Sequence, residues 1–327
     1  MSVLYSNKRS IESIRGVVEG ALEELILKRM STASDQPLMT LAKEVLLAGG
    51  KRFRPIVGIL AFEASGGEDR GEILDLALSS ELIHTATLVH DDINDQAKTR
   101  RGQPTIHATH GTAHAIIAGD YLFALGFELG ARYNSKVVDM VGASCVQVAS
   151  GELLQFKHIG DLSTKPEDYY SIIDGKTAGP FATGCSCAAI VAGASEEDVE
   201  AMWGYGMELG RAFQLVDDLL DLTGDESIGK PRGSDVYEGK MTLPIIYALT
   251  TLYGADREQL ADILTNFSDY RLSELTELLD RAGSFQYARM LISNHVERAL
   301  ENLSRLSDSN AKELLIEIAK KSESRTT

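Results

Sequence analysis

Two aspartate triplets define the chemistry open to this chain. Asp91, Asp92 and Asp95 end the run Glu81-Leu82-Ile83-His84-Thr85-Ala86-Thr87-Leu88-Val89-His90. Asp217, Asp218 and Asp221 follow Phe213-Gln214-Leu215-Val216. Both read D-D-x-x-D. On a helix the first and last aspartates of such a motif lie one turn apart on one face. Carboxylates that close repel one another unless water solvates them or cations sit between them. Mg²⁺ takes oxygen donors and keeps room for substrate phosphate. One motif alone reads equally well as a solvated acidic helix end. Two, each closing an apolar run, point to an interior or cleft. On different helices they can face each other across a cavity and hold several Mg²⁺ ions against one diphosphate.

Cations stand in matching places. Lys51, Arg52 and Arg54 follow a glycine pair, and Arg100 and Arg101 precede Gly102. Lys176 sits in Asp174-Gly175-Lys176-Thr177, and Lys230 and Lys240 flank a glycine-bearing loop. Arginine grips phosphate oxygens through a planar fork and lysine as a point charge. Any one of these is an ordinary surface charge. The set is informative because it recurs beside glycines and carboxylates. His107, His110 and His114 have helical spacing but no carboxylate partner nearby in sequence, and they are not read as a metal site.

Long windows with apolar residues at helical spacing must position these groups. Helices are expected over 10–30, 39–47, 55–64, 72–92, 111–131, 136–157, 169–191, 195–222, 243–253, 257–265, 273–282 and 285–320. Thr164 is expected to cap a helix start. Residues 224–239 form a long loop, and 322–327 a frayed tail. Small residues across 178–189 let helices approach closely. Strand alternation is hard to find. The fold class expected is all-α, a single domain over 1–327 with a motif-bearing core at about 37–250 and C-terminal helices over 257–320.

Composition excludes several functions. A net charge of −16 argues against a nucleic-acid binder and against charge-driven docking on anionic membrane. An acidic chain that takes an anionic substrate needs local cations or metal. Cys145, Cys185 and Cys187 are odd in number and lack zinc or redox spacing, so reduced core thiols and a cytoplasmic location are expected. No apolar signal core and no uninterrupted run of ~18 apolar residues is present, so no transmembrane helix is expected. There is no G-x-S-x-G, Walker or dinucleotide motif.

Together these segments resemble the trans-isoprenyl diphosphate synthases, or polyprenyl synthetases. The matching stretches are Gly49 to Pro55, His84 to Asp95 with Arg100-Arg101-Gly102, Gly175-Lys176-Thr177, Phe213 to Asp221, and Gly229-Lys230 through Lys240 to Pro244. The resemblance implies an isoprenoid-synthase-type helical bundle around a deep central cavity, usually homodimeric. It implies Mg²⁺-dependent condensation of an allylic diphosphate with isopentenyl diphosphate. Lys51, Arg54, His84 and Arg101 match the isopentenyl diphosphate site. Arg100, Lys176, Thr177, Gln214, Lys230 and Lys240 match the allylic side. The six aspartates match the metal motifs, and Asp91, Asp92, Asp95, Lys176, Asp217 and Asp218 the catalytic groups. A terpene cyclase would not need the second aspartate motif or the Lys51, Arg54 and Arg101 set. A non-catalytic partner subunit would have lost aspartates, and none is missing.

Product length turns on Ala86 and Thr87. In a helix they lie five and four residues before Asp91, roughly 6–8 Å below it at about 1.5 Å per residue. In the family a bulky aromatic there stops the chain short. Both residues are small here, so products longer than the C20 class are expected; a farnesyl or geranylgeranyl synthase is the alternative. Tyr121 or Phe123 on the next helix is a candidate floor. Ala86→Phe is expected to shorten the product, read by chromatography. Unchanged length would show that position 86 does not face the tail.

Overall fold

The Ser10 hydroxyl accepts a hydrogen bond from the Ser13 amide and starts the first helix, as side-chain oxygens do at helix starts. The computed structural model describes residues 10–224 and 232–324. Among them helices dominate, and the strands are β1 (Thr99–Arg100) and β2 (Gln103–Pro104), an antiparallel two-residue pair. The fold is all-α. Lys230 lies outside the described residues. The chain divides into two compact units. One takes the described parts of Met1–Val141, Gly184–Glu200 and Leu306–Leu315; the other those of Gly142–Thr183, Ala201–Arg305 and Ile316–Thr327.

The first unit holds α1 (Ile11–Met30), α2 (Gln36–Leu46), α3 (Phe53–Ala64), α4 (Gly71–Asn94), α5 (Ile106–His110) and α6 (Thr112–Gly130). α4 carries the first aspartate motif and packs along α6, and α3 and α1 also pack against it. Glycines on α6 allow the close approach: a Cβ on Gly126 would stand 2.7 Å from Ile83 Cγ1. α2 starts three residues before the expected Met39, because Pro37 fits a first turn. The three histidines do not share one helix. Gly111, at φ +88°, separates His107 and His110 on α5 from His114 on α6.

The second unit includes α8 (Pro166–Ile173), which follows α7 (Ser135–Lys157) in the chain, a π-helical turn (Asp174–Ala178), and the first residues of α9 (Gly179–Val191). It also includes most of α10 (Glu196–Thr223), then α11 (Ser234–Tyr237), α12 (Leu243–Thr251), α13 (Gly254–Thr265), α14 (Leu272–Arg281) and α15 (Ser284–Leu303); α16 (Asn310–Ser324) closes the described chain. α12 is its hub, burying Leu243, Ile245, Ile246 and Leu249 among Leu260, Leu278 and Ile292.

Four expectations are corrected here. The helix expected over 169–191 contains the π turn. Lys165, not Thr164, caps α8: its amide donates to Asp168 Oδ2 at 3.0 Å. The long loop contains α11. The helix expected over 285–320 is α15 and α16 with a break at 304–309. Ser309 starts the second piece, its hydroxyl accepting from the Lys312 amide at 3.1 Å. Serine and aspartate favour such caps over helix interiors.

Arg52 fixes the glycine loop before α3. It adopts the left-handed backbone, φ +49°, and only 2% of it is exposed. Its guanidinium donates to Glu19 Oε1 at 2.9 Å, Glu81 Oε1 at 2.8 Å and the Leu46 carbonyl at 2.5 Å. Burial opposes its charge, but Glu19 and Glu81 hold its pKa above the ordinary value. Removing one partner of a buried ion pair strands the other. Arg52→Met is therefore expected to destabilise the protein by about 3 kcal/mol in urea unfolding. A loss below about 1 kcal/mol would contradict this role.

Candidate active site

The cations of the first unit gather around the start of α3 and one face of α4. Gly50 is bare because the Arg101 guanidinium lies against it: a Cβ there would stand 2.7 Å from Nη1. Arg101 Nη1 donates to the Gly49 carbonyl, and Arg101 itself takes a left-handed φ of +53°. Burial pushes its pKa below the usual value. Burial also pushes half-buried Arg54 down to about 10, with Glu81 opposing. His84 lies well below its ordinary value, through burial and then the charges of Arg54, Arg101, Arg100 and Arg52. It is therefore a neutral imidazole among cations. Lys51 is exposed at the edge of this loop. The structure thus brings Arg54, His84 and Arg101 together, with Lys51 at the loop edge. Arg52 belongs to the same run but serves as its anchor.

Seven residues beyond His84, about 10 Å along the α4 axis, comes the first aspartate motif. Its members differ. Asp92 is buried and accepts from Arg100 Nε at 2.6 Å. Burial raises its pKa and Arg100 opposes the rise. Asp91 and Asp95 are half-buried one turn apart, and the Asp95 amide closes α4 on the Asp91 carbonyl at 2.8 Å. Lower on the helix, Ala86 is 0% exposed and Thr87 donates to the His84 carbonyl at 2.8 Å. On α6, the Tyr121 hydroxyl is buried with no hydrogen-bond partner among the described residues, and the Phe123 ring stacks near Phe127 at 6.3 Å.

The second unit repeats the division of labour. Asp218 is buried, accepting from Tyr169 Oη at 2.6 Å and Gln214 Nε2 at 2.9 Å. Burial pushes it up to about 7 despite those two donors. Asp221 organises the next turn: its carboxylate accepts from Ser234 Oγ at 2.7 Å and the amides of Ser234 and Asp235 at 3.1 and 3.2 Å. Asp217 is exposed. Asp235 is pushed up to about 8 by burial and by Asp221 and Asp218, and Lys240 faces it at 3.8 Å and also pairs with Glu238.

The π turn carries the remaining groups. The Thr177 hydroxyl donates to Gln214 Oε1 at 2.8 Å, so Thr177, Gln214, Asp218 and Tyr169 form one chain of hydrogen bonds. Lys176 Nζ pairs with Glu152 and donates to Gln155 Oε1 at 3.1 Å. Tyr169, Glu152, Gln155 and Asp235 were not singled out from sequence. Tyr169 and Asp235 carried a weak signal, one beside a helix start and the other beside Lys240. Glu152 and Gln155 sit in a plain helical pattern and carried none.

Among the described residues, no three His, Cys, Asp or Glu side chains form a metal cage. Mg²⁺ needs only one or two carboxylates when substrate phosphates and water complete its shell. A carboxylate-only motif with its second aspartate already neutralised fits that requirement.

Residues 35–279 match the model of the polyprenyl synthetase family. The short chain isoprenyl diphosphate synthase of Methanothermobacter thermautotrophicus is 38% identical, with 91% of this chain and 93% of that protein aligned. The decaprenyl diphosphate synthase of Rhodobacter capsulatus superposes with a TM-score of 0.90 at 32% identity, covering 97% of this chain and 98% of that one. A polyprenyl synthase of Caulobacter crescentus, complexed with calcium and isoprenyl diphosphate, superposes at 0.88 and 31% identity, covering 98% and 99%. This chain belongs to the polyprenyl synthetase family of prenyltransferases.

Proposed function

We propose that this chain is a Mg²⁺-dependent prenyl diphosphate synthase that adds isopentenyl diphosphate to an allylic diphosphate and makes an all-trans product longer than C20. The observation that carries the reading is the gathering of Arg54 at the start of α3 and Arg101 after α4 around His84, on the helix that ends in the first aspartate motif. Such a gathering is stabilised by a polyanion such as a diphosphate. Lys51, Arg54, Arg101 and His84 hold the isopentenyl diphosphate. Arg100, Lys176, Thr177, Gln214, Lys230 and Lys240 serve the allylic diphosphate.

Asp91, Asp95 and Asp217 are the metal-facing carboxylates. Asp92 and Asp218, both buried, and Asp221, bound to Ser234, hold the motifs in place. Bound Mg²⁺ supplies positive charge to the departing diphosphate oxygens. Lys176 and Arg100 add fixed positive charge as the allylic carbon–oxygen bond breaks. The double bond of isopentenyl diphosphate attacks the allylic cation, and a proton leaves to the released diphosphate. Thr87, small and half-buried, leaves the path below the motif open to a long tail, and Ala86, also small, is packed away behind it.

The test is incubation with Mg²⁺, isopentenyl diphosphate and labelled farnesyl diphosphate. Elongation beyond C20 is expected, with Asp91→Ala and Asp217→Ala each slowing it roughly a thousandfold. No elongation from any allylic primer would refute the synthase, and products ending at C20 would refute the length.

The chain is further proposed to act as a homodimer. α6 exposes Ile116, Ile117 and Phe127. α7 exposes Val138, Val146, Leu153 and Phe156, with Val146 at 64% and Leu153 at 61%. α7 is long and apolar enough to cross a membrane by length and composition, a property that a helix covered by a partner shares. Apolar surface of this extent marks an interaction face. Free thiols at all three cysteines suit a cytoplasmic enzyme. Sedimentation is expected to give twice the 35.5 kDa chain mass; a single-chain mass would contradict the dimer.

A further inference from the structure

The π turn at Asp174–Ala178 interrupts an otherwise helical stretch from α8 into α9. π turns are rare, occur mostly as single turns inside α-helices, and gather at functional sites. Here the turn rotates Lys176 and Thr177 out of phase with the flanking helical rows. The Gly179 amide closes it on the Asp174 carbonyl. Two glycine contacts make room for it. A Cβ on Gly175 would stand 2.8 Å from the Gln147 carbonyl, and one on Gly210 would stand 2.5 Å from Ala178 Cα. Bare backbone permits the turn but does not select it.

A charged clamp does. Arg211 on α10 grips both oxygens of Asp174, Nε to Oδ1 at 2.8 Å and Nη2 to Oδ2 at 2.7 Å. Its third nitrogen donates to Glu208 Oε1 at 3.0 Å. Glu208 is in turn held by His295, Nδ1 to Oε2 at 2.6 Å, and His295 Nε2 meets the Tyr170 hydroxyl at 3.0 Å. Tyr170 lies one turn before Asp174, and its ring sits under the Arg211 guanidinium at 5.8 Å. The fork is thus fixed in plane and direction. Three residues further along α10, Gln214 takes the Thr177 hydroxyl. One helix therefore holds the turn at both ends of the Lys176 segment.

We infer that Arg211, through Asp174, is a positioning residue that sets the π turn and so aims Lys176 and Thr177 at the allylic diphosphate. The inference rests on the allylic role given to those two residues above. Arg211 acts through Asp174. Lysine cannot replace it, because a single ammonium cannot make two parallel bonds.

The test compares Arg211→Lys and Asp174→Asn with the parent enzyme and with Arg298→Ala, an exposed arginine 3.9 Å from Glu208 that makes no contact with the turn. The KM for farnesyl diphosphate is expected to rise about tenfold in the first two variants. The KM for isopentenyl diphosphate stays within about twofold, and Arg298→Ala changes neither. Hydrogen exchange of the amides over 174–178 is expected to quicken at least about fivefold, with other helices unchanged. A purely structural role would lower the melting temperature and shift both KM values together; that result overturns the inference. Folded variants with parental KM values and parental exchange also overturn it. If the parent elongates no primer, the synthase reading fails, and local exchange alone decides: quickened at 174–178 it supports the clamp, unchanged it refutes it. If Arg211→Lys does not fold, Asp174→Asn, nearly equal in volume to the parent, is read by the same criteria.

Discussion

The cost of taking a carboxylate out of water organises both aspartate motifs. A buried carboxylate must be paired, given hydrogen bonds or protonated. Asp92 is paired with Arg100, and Asp218 is given Tyr169 and Gln214. Each second aspartate is thereby turned into its own unit and satisfied. That leaves the first aspartate of each motif outward of it: Asp91 half-buried and Asp217 exposed. The repulsion within D-D-x-x-D is resolved by sending neighbouring residues in opposite directions, so a motif of three acids need not bring three charges to one point.

The same accounting governs the cations. Arg52 carries two glutamates and a carbonyl and acts as a structural post. Arg54 and Arg101 are held below their usual pKa values by burial, with Glu81 opposing. Two arginines of one short run therefore have opposite tasks, decided by what the surroundings provide. Arg211 is a third case, over-compensated by Asp174 and Glu208 and pushed above its ordinary value. It is suited to hold backbone in place rather than to meet a ligand.

Much of the fold was legible in the sequence because apolar residues at helical spacing mark buried faces wherever a helix packs on one side. α1, α4 and α10 ended within two residues of their expected bounds. The π turn was hidden because it adds one residue among Gly175, Ala178 and Gly179, which leave little apolar pattern to shift. The 304–309 break carried a signal in Ser307, Asp308 and Ser309, but Leu303 and Leu306 continue the apolar pattern up to it. At the site, residue type and order revealed the aspartates and the outer cations. They did not reveal that Arg52 is buried against Glu19 and Glu81 while Lys51 beside it is exposed, since a left-handed φ leaves no trace in spacing. Nor did they separate Asp91 from Asp92, because burial of one neighbour over the other is set by helix phase and by the partner across the interface.

The central claim is that these carboxylates bind a diphosphate only through divalent metal. Isothermal titration of a non-ionising allylic thiolodiphosphate tests it most directly. Binding is predicted in Mg²⁺, with loss when Mg²⁺ is chelated and when Asp91 or Asp217 is changed to alanine. Equal affinity with and without Mg²⁺, or affinity indifferent to those aspartates, would contradict the account.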